Sequence, residues 1–215
     1  MSEISKRKLI VKFSKYLVDK KLSPIRSGNI SIRHCKNEKN GLLISPSGKK
    51  NESLRPEDIV YVNNNGKYDK NLCKPSSELN FHIDIYDNFS CNAIVHCHSK
   101  YSVILSCLFK KIPAFHYMIG LAGGKDIKTA DYAIYGSKEL SNNIIKVIKN
   151  RKACLIANHG QLCMGNNLED AFELSQEIEL LCEYYYKCKL IGKPKLINDF
   201  EMRKVLNKIT NYKNN

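Results

Sequence analysis

The stretch Ala93-Ile94-Val95-His96-Cys97-His98 organises the chain around a buried strand. Its short apolar run predicts a strand, and the residues after it predict a helix from Ser99 to about Leu108. Residues two apart on an extended backbone face the same side, so His96 and His98 can share one cation. Cys97 faces the opposite side and is expected in the core.

A third histidine, His159, follows a second apolar strand over 153–157, for which residues 161–164 are the expected hairpin partner. Three imidazoles with one open position are the pattern of a catalytic zinc site. A His-x-His pair alone is more often structural than metal-binding, and adding His159 leaves both interpretations open. Of the remaining histidines, His34 and His82 are expected to be structural or solvent-facing.

The periodicity of the rest of the chain predicts one α/β domain over residues 1–215, with a mostly antiparallel sheet flanked by helices. Residues 29–34 and 42–44, joined by a turn-rich segment, indicate a hairpin, and residues 59–62 indicate a further strand. Apolar positions at helical spacing indicate helices at 4–22, 137–149 and from the cap Asn167 to near Gly192.

Three loops rich in small residues could form an anion site. Pro75-Ser-Ser-Glu78 is expected to open a helix, whose free N–H groups and dipole favour a phosphate beside Ser76 and Ser77. Ordinary N-capping by Ser76 explains the same residues. The loops Ser27-Gly28-Asn29 and Ser45-Pro-Ser-Gly48 add glycine and further donors. A phosphate cradle requires all three loops to converge.

The formal charge of +14 does not identify the function. Its lysines are scattered through every segment and form no dense basic helix, so nucleic-acid binding is not expected, although the charge can steer an anionic substrate. No apolar run reaches the length of a membrane span, and no secretory signal is present. We therefore expect a cytoplasmic protein without a membrane partner.

The nine cysteines fit that compartment. They lack the spacing of a disulfide framework or a cysteine zinc site. Cys107 and Cys154 lie in apolar runs, where a free cysteine is expected to pack as a small core residue.

The chain resembles the class II aldolase/adducin family in five motifs that occur in the same order: Ser27-Gly-Asn-Ile-Ser-Ile-Arg33, Ser45-Pro-Ser-Gly48, Lys74-Pro-Ser-Ser-Glu78, His96-Cys-His98 and Asn158-His-Gly160. Two further stretches, 112–124 and 132–140, are similar to the branch of this family that acts on L-fuculose 1-phosphate. The resemblance covers essentially the whole chain.

The resemblance implies one zinc ion per subunit, with His96, His98 and His159 as ligands and Glu78 beside it as the catalytic carboxylate. It implies a phosphate site formed by Gly28, Asn29, Ser47, Gly48, Ser76 and Ser77. It also implies a homotetramer with active sites at subunit interfaces, in which Tyr117 reaches the neighbouring site and exchanges a proton with the aldehyde oxygen. Tyr135 and Tyr212 match aromatic residues that wall and close over the substrate.

The implied reaction is the reversible cleavage of a ketose 1-phosphate, most closely L-fuculose 1-phosphate, to dihydroxyacetone phosphate and L-lactaldehyde. Relatives of the same fold leave alternatives: a 5-deoxyribulose-1-phosphate aldolase, a ribulose-5-phosphate 4-epimerase or a methylthioribulose-1-phosphate dehydratase. The epimerases have aspartate where this chain has Glu78, and the segment around Tyr117 and Gly123-Gly124 argues against the dehydratase. An adducin-like, non-catalytic binding module would lack the three histidines.

Overall fold

The computed structural model describes residues 1–36 and 39–212. Its six helices are α1 Glu3–Asp19, α2 Leu79–Asn88, α3 Lys100–Ser106, α4 Lys138–Ile148, α5 Leu168–Ile191 and α6 Asp199–Tyr212. Its eight strands are β1 Asn29–Lys36, β2 Lys39–Ile44, β3 Val60–Asn63, β4 Ala93–Cys97, β5 Lys111–Ile112, β6 Ile127–Ala130, β7 Ala153–Ile156 and β8 Gly160–Gly165. A short 3-10 helix covers Tyr117–Ala122.

The strands form one sheet in the order β3-β2-β1-β4-β8-β7-β6-β5. Every adjacent pair is antiparallel except β6 and β7, which are parallel. The parallel pair requires a crossover, which α4 supplies between β6 and β7. The prediction of a mostly antiparallel sheet flanked by helices is confirmed.

Alternation along the strands divides the core between the two faces of the sheet. On β4, Ile94 packs in the cluster that includes residues of α2 and α4, whereas Val95 and Cys97 pack with residues of α1 and α5. His96 shares the parity of Ile94, so its ring meets Phe81 of α2 edge-on at 5.5 Å between ring centroids. His96 is therefore buried on the face of the sheet that α2 covers. Cys97 is a core residue, as predicted.

Two expectations are corrected. Helix α2 begins at Leu79, after the predicted start at Pro75–Glu78, because Ser76 N–H bonds to Ser45 O and holds this segment in an extended bridge. Cys107 is exposed at the end of α3, whereas Cys154 is buried as predicted. The elements β5, β6 and α6 were not predicted.

All nine cysteines are free, as expected. In the part of the chain that the structure describes, no helix has the length and apolar character needed to cross a bilayer.

Candidate metal centre and anion pocket

Three histidines converge where β4 and β8 meet. His96 is in β4, opposite Leu162 of β8, and His98 follows directly after the strand. His159 lies in the tight turn that joins β7 to β8, where its N–H bonds to Ile156 O. The three ring centroids are 4.7–4.8 Å apart. The structure thus brings together all three of the predicted ligands.

The turn that carries His159 depends on two special residues. Asn158 has a left-handed backbone with φ of 56°, which asparagine tolerates better than most residues. Gly160 allows β8 to approach β4 closely, since a Cβ there would lie 2.4 Å from Cys97 O. Both residues shape the turn that brings the His159 ring to 4.7 Å from the His98 ring, measured between centroids.

Hydrogen bonding fixes the tautomer of His96. Its Nδ1 lies 2.8 Å from the backbone oxygen of Gln161, which can only accept, so Nδ1 carries the hydrogen. The Nε2 of His96 then faces the cluster, where His98 Nε2 is 2.9 Å away. This is the arrangement in which a ligand histidine is oriented by a carbonyl behind it.

The Glu78 carboxylate lies against the same nitrogens. Its Oε2 is 3.1 Å from His96 Nε2, and its Oε1 is 3.3 Å from His159 Nε2. Burial alone would raise the pKa of Glu78, but attraction to His96 and His159 and hydrogen bonds from His96 and Asn29 together hold that pKa well below its ordinary value. The carboxylate is therefore ionised and draws positive charge into the cluster.

The other two imidazoles are neutral. Burial, followed by the charges of His96 and His159, lowers the pKa of His98 to about 3. Burial, followed by the charge of His96, lowers the pKa of His159 to about 4. Neutral imidazoles are the form that binds a metal.

The donor set fits a divalent cation. One donor atom from each of Glu78, His96, His98 and His159 lies within 4.8 Å of the others. Among the described residues, Glu78 Oε1 is buried and accepts no hydrogen bond. A buried, ionised oxygen without a donor is costly unless a cation approaches it. Three nitrogens and a carboxylate suit zinc or a similar metal.

The three loops do converge beside this cluster. Ser47 N–H bonds to Lys74 O at 3.0 Å and Ser76 N–H to Ser45 O at 3.1 Å, so two loops form one short antiparallel bridge. The Ser45 hydroxyl accepts from the N–H of Ile30 in β1, which joins the third loop to them. The convergence that the anion site required is therefore present.

Glycine at position 28 is needed for this approach. Gly28 has φ of +77°, and a Cβ would lie 2.8 Å from His96 O. Gly136 is similarly constrained at φ +74°, since its Cβ would lie 2.5 Å from Ser77 O. Gly48 also has φ of +77° but faces open space, since a Cβ there would meet no heavy atom within 4 Å.

The two serines differ in their bonding. The buried Ser76 hydroxyl accepts from Glu78 N–H at 3.2 Å, inside a turn that precedes α2. It does not cap the first helical turn, as the capping interpretation had supposed. Ser77 is exposed, and among the described residues its hydroxyl has no hydrogen-bond partner. Ser77 thus presents a hydroxyl that is accessible to a ligand.

These loops and the histidine cluster share one cleft of about 400 Å³. Its lining includes Glu78, His98, His159, Tyr135 and all six predicted phosphate residues. Sequence reasoning missed Arg26, Tyr132 and Asn158, which also line it. Among the described residues, Arg26 is the one lysine or arginine in that lining. Its position directly before the Ser27-Gly28 motif is the signal that could have revealed it.

Two predicted residues stand apart from this cleft. Tyr117 is 56% exposed at the start of the 3-10 helix, with its ring 4.8 Å from that of His116, and it is not part of the cleft lining. The side chain of Tyr212 lies outside the described part of the chain.

Comparison with known proteins identifies the family and the fold. Residues 8–186 match the family model described as Class II Aldolase and Adducin N-terminal domain. The chain is 42% identical to the 5-methylthioribulose-1-phosphate/5-deoxyribulose-1-phosphate aldolase of Rhodospirillum rubrum, covering 88% of this chain and 84% of that one. It is 40% identical to the L-fuculose phosphate aldolase of Haemophilus influenzae, covering 86% and 85%.

The solved structures agree. An L-fuculose 1-phosphate aldolase superposes with a TM-score of 0.90 at 36% identity, covering 96% of both chains. The chain belongs to the class II aldolase/adducin family, and within it to the aldolases, which are carbon–carbon lyases. Enzymes of this class depend on a metal ion, and Glu78, His96, His98 and His159 form a cluster that can hold one.

Proposed function

We propose that residues 1–215 form one zinc-dependent aldolase domain that reversibly cleaves a ketose 1-phosphate to dihydroxyacetone phosphate and a short aldehyde. L-Fuculose 1-phosphate, which gives L-lactaldehyde, is the first candidate substrate. The observation that supports this most is the contact of the Glu78 carboxylate with His96 and His159, at 3.1 and 3.3 Å, in a cleft that also contains the anion loops.

His96, His98 and His159 are the residues that would hold the zinc ion, one per subunit. A bound zinc supplies Lewis-acid stabilisation of negative charge on the oxygens of the substrate. The neutral state of His98 and His159 leaves lone pairs on their rings available, and the bond from His96 Nδ1–H to Gln161 O directs the Nε2 of His96 into the same cluster.

Glu78 is the residue we assign to proton transfer at carbon. After cleavage, the carbon next to the carbonyl of dihydroxyacetone phosphate must gain a proton, and in the reverse direction it must lose one. In the reverse direction an ionised carboxylate at the cleft wall can accept that proton, and the carboxylic acid so formed can return it to carbon. The hydrogen bond from Asn29 to Glu78 Oε2 holds one oxygen in place and leaves Oε1 for the reaction.

Tyr117 is the residue we assign to the aldehyde oxygen. It stands outside the cleft of its own chain and is exposed, as a residue that serves a neighbouring subunit must be. We therefore propose a homotetramer in which Tyr117 completes the site of the adjacent subunit. Tyr135 lines the cleft with its ring 64% exposed, which suits a wall that covers the substrate, and Tyr212 is proposed to close over it.

The phosphate of the substrate is proposed to bind the three joined loops through Gly28, Asn29, Ser47, Gly48, Ser76 and Ser77. Asn29 Nδ2 has two hydrogens, of which one goes to Glu78 and the other is available to a ligand oxygen. Among the described residues, Arg26 adds the only guanidinium of the cleft lining and suits a phosphate dianion. The exposed hydroxyls of Ser47 and Ser77 contribute further donors.

A second substrate has a specific observation in its favour. The Rhodospirillum relative, at 42% identity, has a name that gives 5-methylthioribulose 1-phosphate and 5-deoxyribulose 1-phosphate as substrates. All of these ketoses share the phosphorylated half that the loops and Glu78 would hold. They differ only in the aldehyde half, so the same catalytic residues serve either reaction.

Kinetics on a panel of ketose 1-phosphates tests the proposal. Zinc-loaded protein is incubated with L-fuculose 1-phosphate, 5-deoxyribulose 1-phosphate and 5-methylthioribulose 1-phosphate, and dihydroxyacetone phosphate is measured. We expect cleavage of at least one, and the ranking of kcat/KM identifies the substrate. Absence of dihydroxyacetone phosphate from all three, in folded protein that contains zinc, would overturn the proposal.

A further inference from the structure

A chain of hydrogen bonds runs through the core from helix α2 to Glu78. His82 is fully buried on α2, and its Nε2 lies 2.5 Å from Asn29 Oδ1 in β1. Asn29 Nδ2 in turn donates to Glu78 Oε2 at 2.9 Å. On the other side, His82 Nδ1 lies 2.7 Å from Ser31 Oγ, which is 2.8 Å from the hydroxyl of Tyr86.

Burial lowers the pKa of His82 to about 3, so its ring is neutral, and for a neutral ring only one arrangement of hydrogens satisfies every member of this chain. The carboxylate of Glu78 must accept, so the amide of Asn29 turns its NH₂ to Glu78 and its oxygen to His82. His82 Nε2 must then carry the hydrogen, and its Nδ1 accepts from the Ser31 hydroxyl. The Tyr86 hydroxyl donates to Ser31 and ends the chain.

We propose that His82 is a positioning residue for the aldolase reaction, which acts through the amide of Asn29 to hold the Glu78 carboxylate in its reactive orientation. This inference rests on the proposed function of Glu78. Without the Nε2–H of His82, the amide of Asn29 could rotate and present its oxygen to the carboxylate. Two facing acceptors repel, so Glu78 would turn away from its place beside His96 and His159.

The geometry explains why this orientation requires a buried partner. Glu78 is the N-cap of α2, and its side chain makes no capping bond that would hold it. Asn29 is at the start of β1, beside Gly28 with its left-handed backbone. His82 is one turn into α2 and stacks on Phe81 at 4.6 Å between ring centroids. It therefore provides a fixed donor between two irregular segments.

Two substitutions separate positioning from simple core packing. In H82Q, the amide NH₂ of glutamine reaches about as far as Nε2 and can still donate to Asn29. In H82N, the shorter amide reaches only the Nδ1 position and leaves Asn29 Oδ1 without a donor. Ile85→Val serves as the control, because Ile85 is fully buried on the same helix and has no polar contact.

The readout is exchange of the carbon-bound proton of dihydroxyacetone phosphate with solvent, followed by NMR in zinc-loaded protein. We expect H82N to lose at least 10-fold in exchange rate, with zinc content and KM within 2-fold of the wild type. H82Q should stay within about 3-fold, and I85V should exchange normally even where urea unfolding shows equal destabilisation. Wild-type exchange in folded H82N, or equal loss in H82Q and H82N, would overturn the positioning role.

A second measurement is independent of activity. Two-bond nitrogen–proton NMR spectra of protein labelled with ¹⁵N-histidine distinguish the two tautomers, and the signal that disappears in H82Q belongs to His82. We expect the Nε2–H tautomer, whereas the Nδ1–H tautomer would contradict the proposed direction of the chain. Wild-type protein with the Nε2–H tautomer but no exchange would count against the proposed function and not against the hydrogen-bond arrangement.

Discussion

The Nδ1 of His96 donates to the backbone oxygen of Gln161 at 2.8 Å, across the ladder that joins β4 to β8. The Gln161 side chain is anchored in turn, since its Nε2 donates to Ser99 Oγ and to Ser175 O. His96, one of the proposed metal ligands, is therefore oriented by the sheet itself and by a buried polar network behind Gln161. Such support keeps a metal ligand in place without the metal.

The hydroxyl of Ser77 should contribute to phosphate binding. It is exposed in the cleft and has no partner among the described residues, so Ser77→Ala removes a donor without disturbing the fold. A hydrogen bond to a charged group is worth roughly 1.5–3 kcal/mol, which predicts a KM increase of about 10-fold or more. Steady-state kinetics on the phosphorylated ketose and on its unphosphorylated analogue measure the effect.

Ser76→Ala, studied alongside, should also lower kcat, because the Ser76 hydroxyl accepts from Glu78 N–H. Ser53→Ala removes an exposed hydroxyl outside the cleft and serves as the control. Equal changes in KM for both substrates would mean that Ser77 does not contact the phosphate.

Arg26 should add electrostatic affinity for the same group. Arg26→Gln is expected to raise KM for the phosphorylated substrate about 10-fold and to reduce its dependence on salt. Lys20→Gln changes the net charge equally at an exposed position outside the cleft, and its KM should stay within 2-fold. If both variants behaved alike, the effect would come from overall charge and not from a contact of Arg26 with phosphate.

Glu78→Gln should separate zinc binding from proton transfer at carbon. The amide oxygen can still accept from Asn29 and keeps the shape of the side chain, but the amide cannot act as a base. We expect nearly normal zinc content and a fall of roughly 10²–10⁴-fold in proton exchange at dihydroxyacetone phosphate. Exchange at the wild-type rate would assign the proton to another residue.

Tyr117→Phe should impair cleavage by roughly 10²–10⁴-fold and largely preserve carbon-bound proton exchange, which does not involve the aldehyde oxygen. An aromatic that only packs at an interface would lose little, because phenylalanine keeps the ring. Mixed tetramers of Tyr117→Phe and Glu78→Gln subunits should recover activity, since some interfaces pair an intact tyrosine with an intact glutamate. No recovery in tetramers shown to be mixed would place both residues in one subunit's site.

The shared orientation of His96 and His98 was predictable because its signal is local. His96 and His98 are two residues apart on a strand, a spacing that puts them on one face and Cys97 on the other. His159 follows a second apolar strand, in the turn of the predicted β7–β8 hairpin. The five ordered motifs added Glu78 and the glycine loops through resemblance to the family.

Other features depend on long-range contacts. The bridge between Pro46 and Pro75 delays the start of α2, and no local pattern encodes it. Strand β5 has only two residues and β6 only four, too few for a periodicity, and the parallel pairing of β6 depends on the α4 crossover. The hydrogen bond between His82 and Asn29 joins residues 53 positions apart, so the sequence left His82 without a role.

The central claim is that the three-histidine cluster holds a catalytic zinc ion, and metal-dependent cleavage tests it most directly. Metal analysis should find about one zinc per subunit. Chelation should abolish the release of dihydroxyacetone phosphate, and added zinc should restore it. His159→Ala should lose the metal, whereas His34→Ala should keep it, because His34 lies near Glu3 and outside the cluster. Full cleavage by completely demetallated protein would contradict the account.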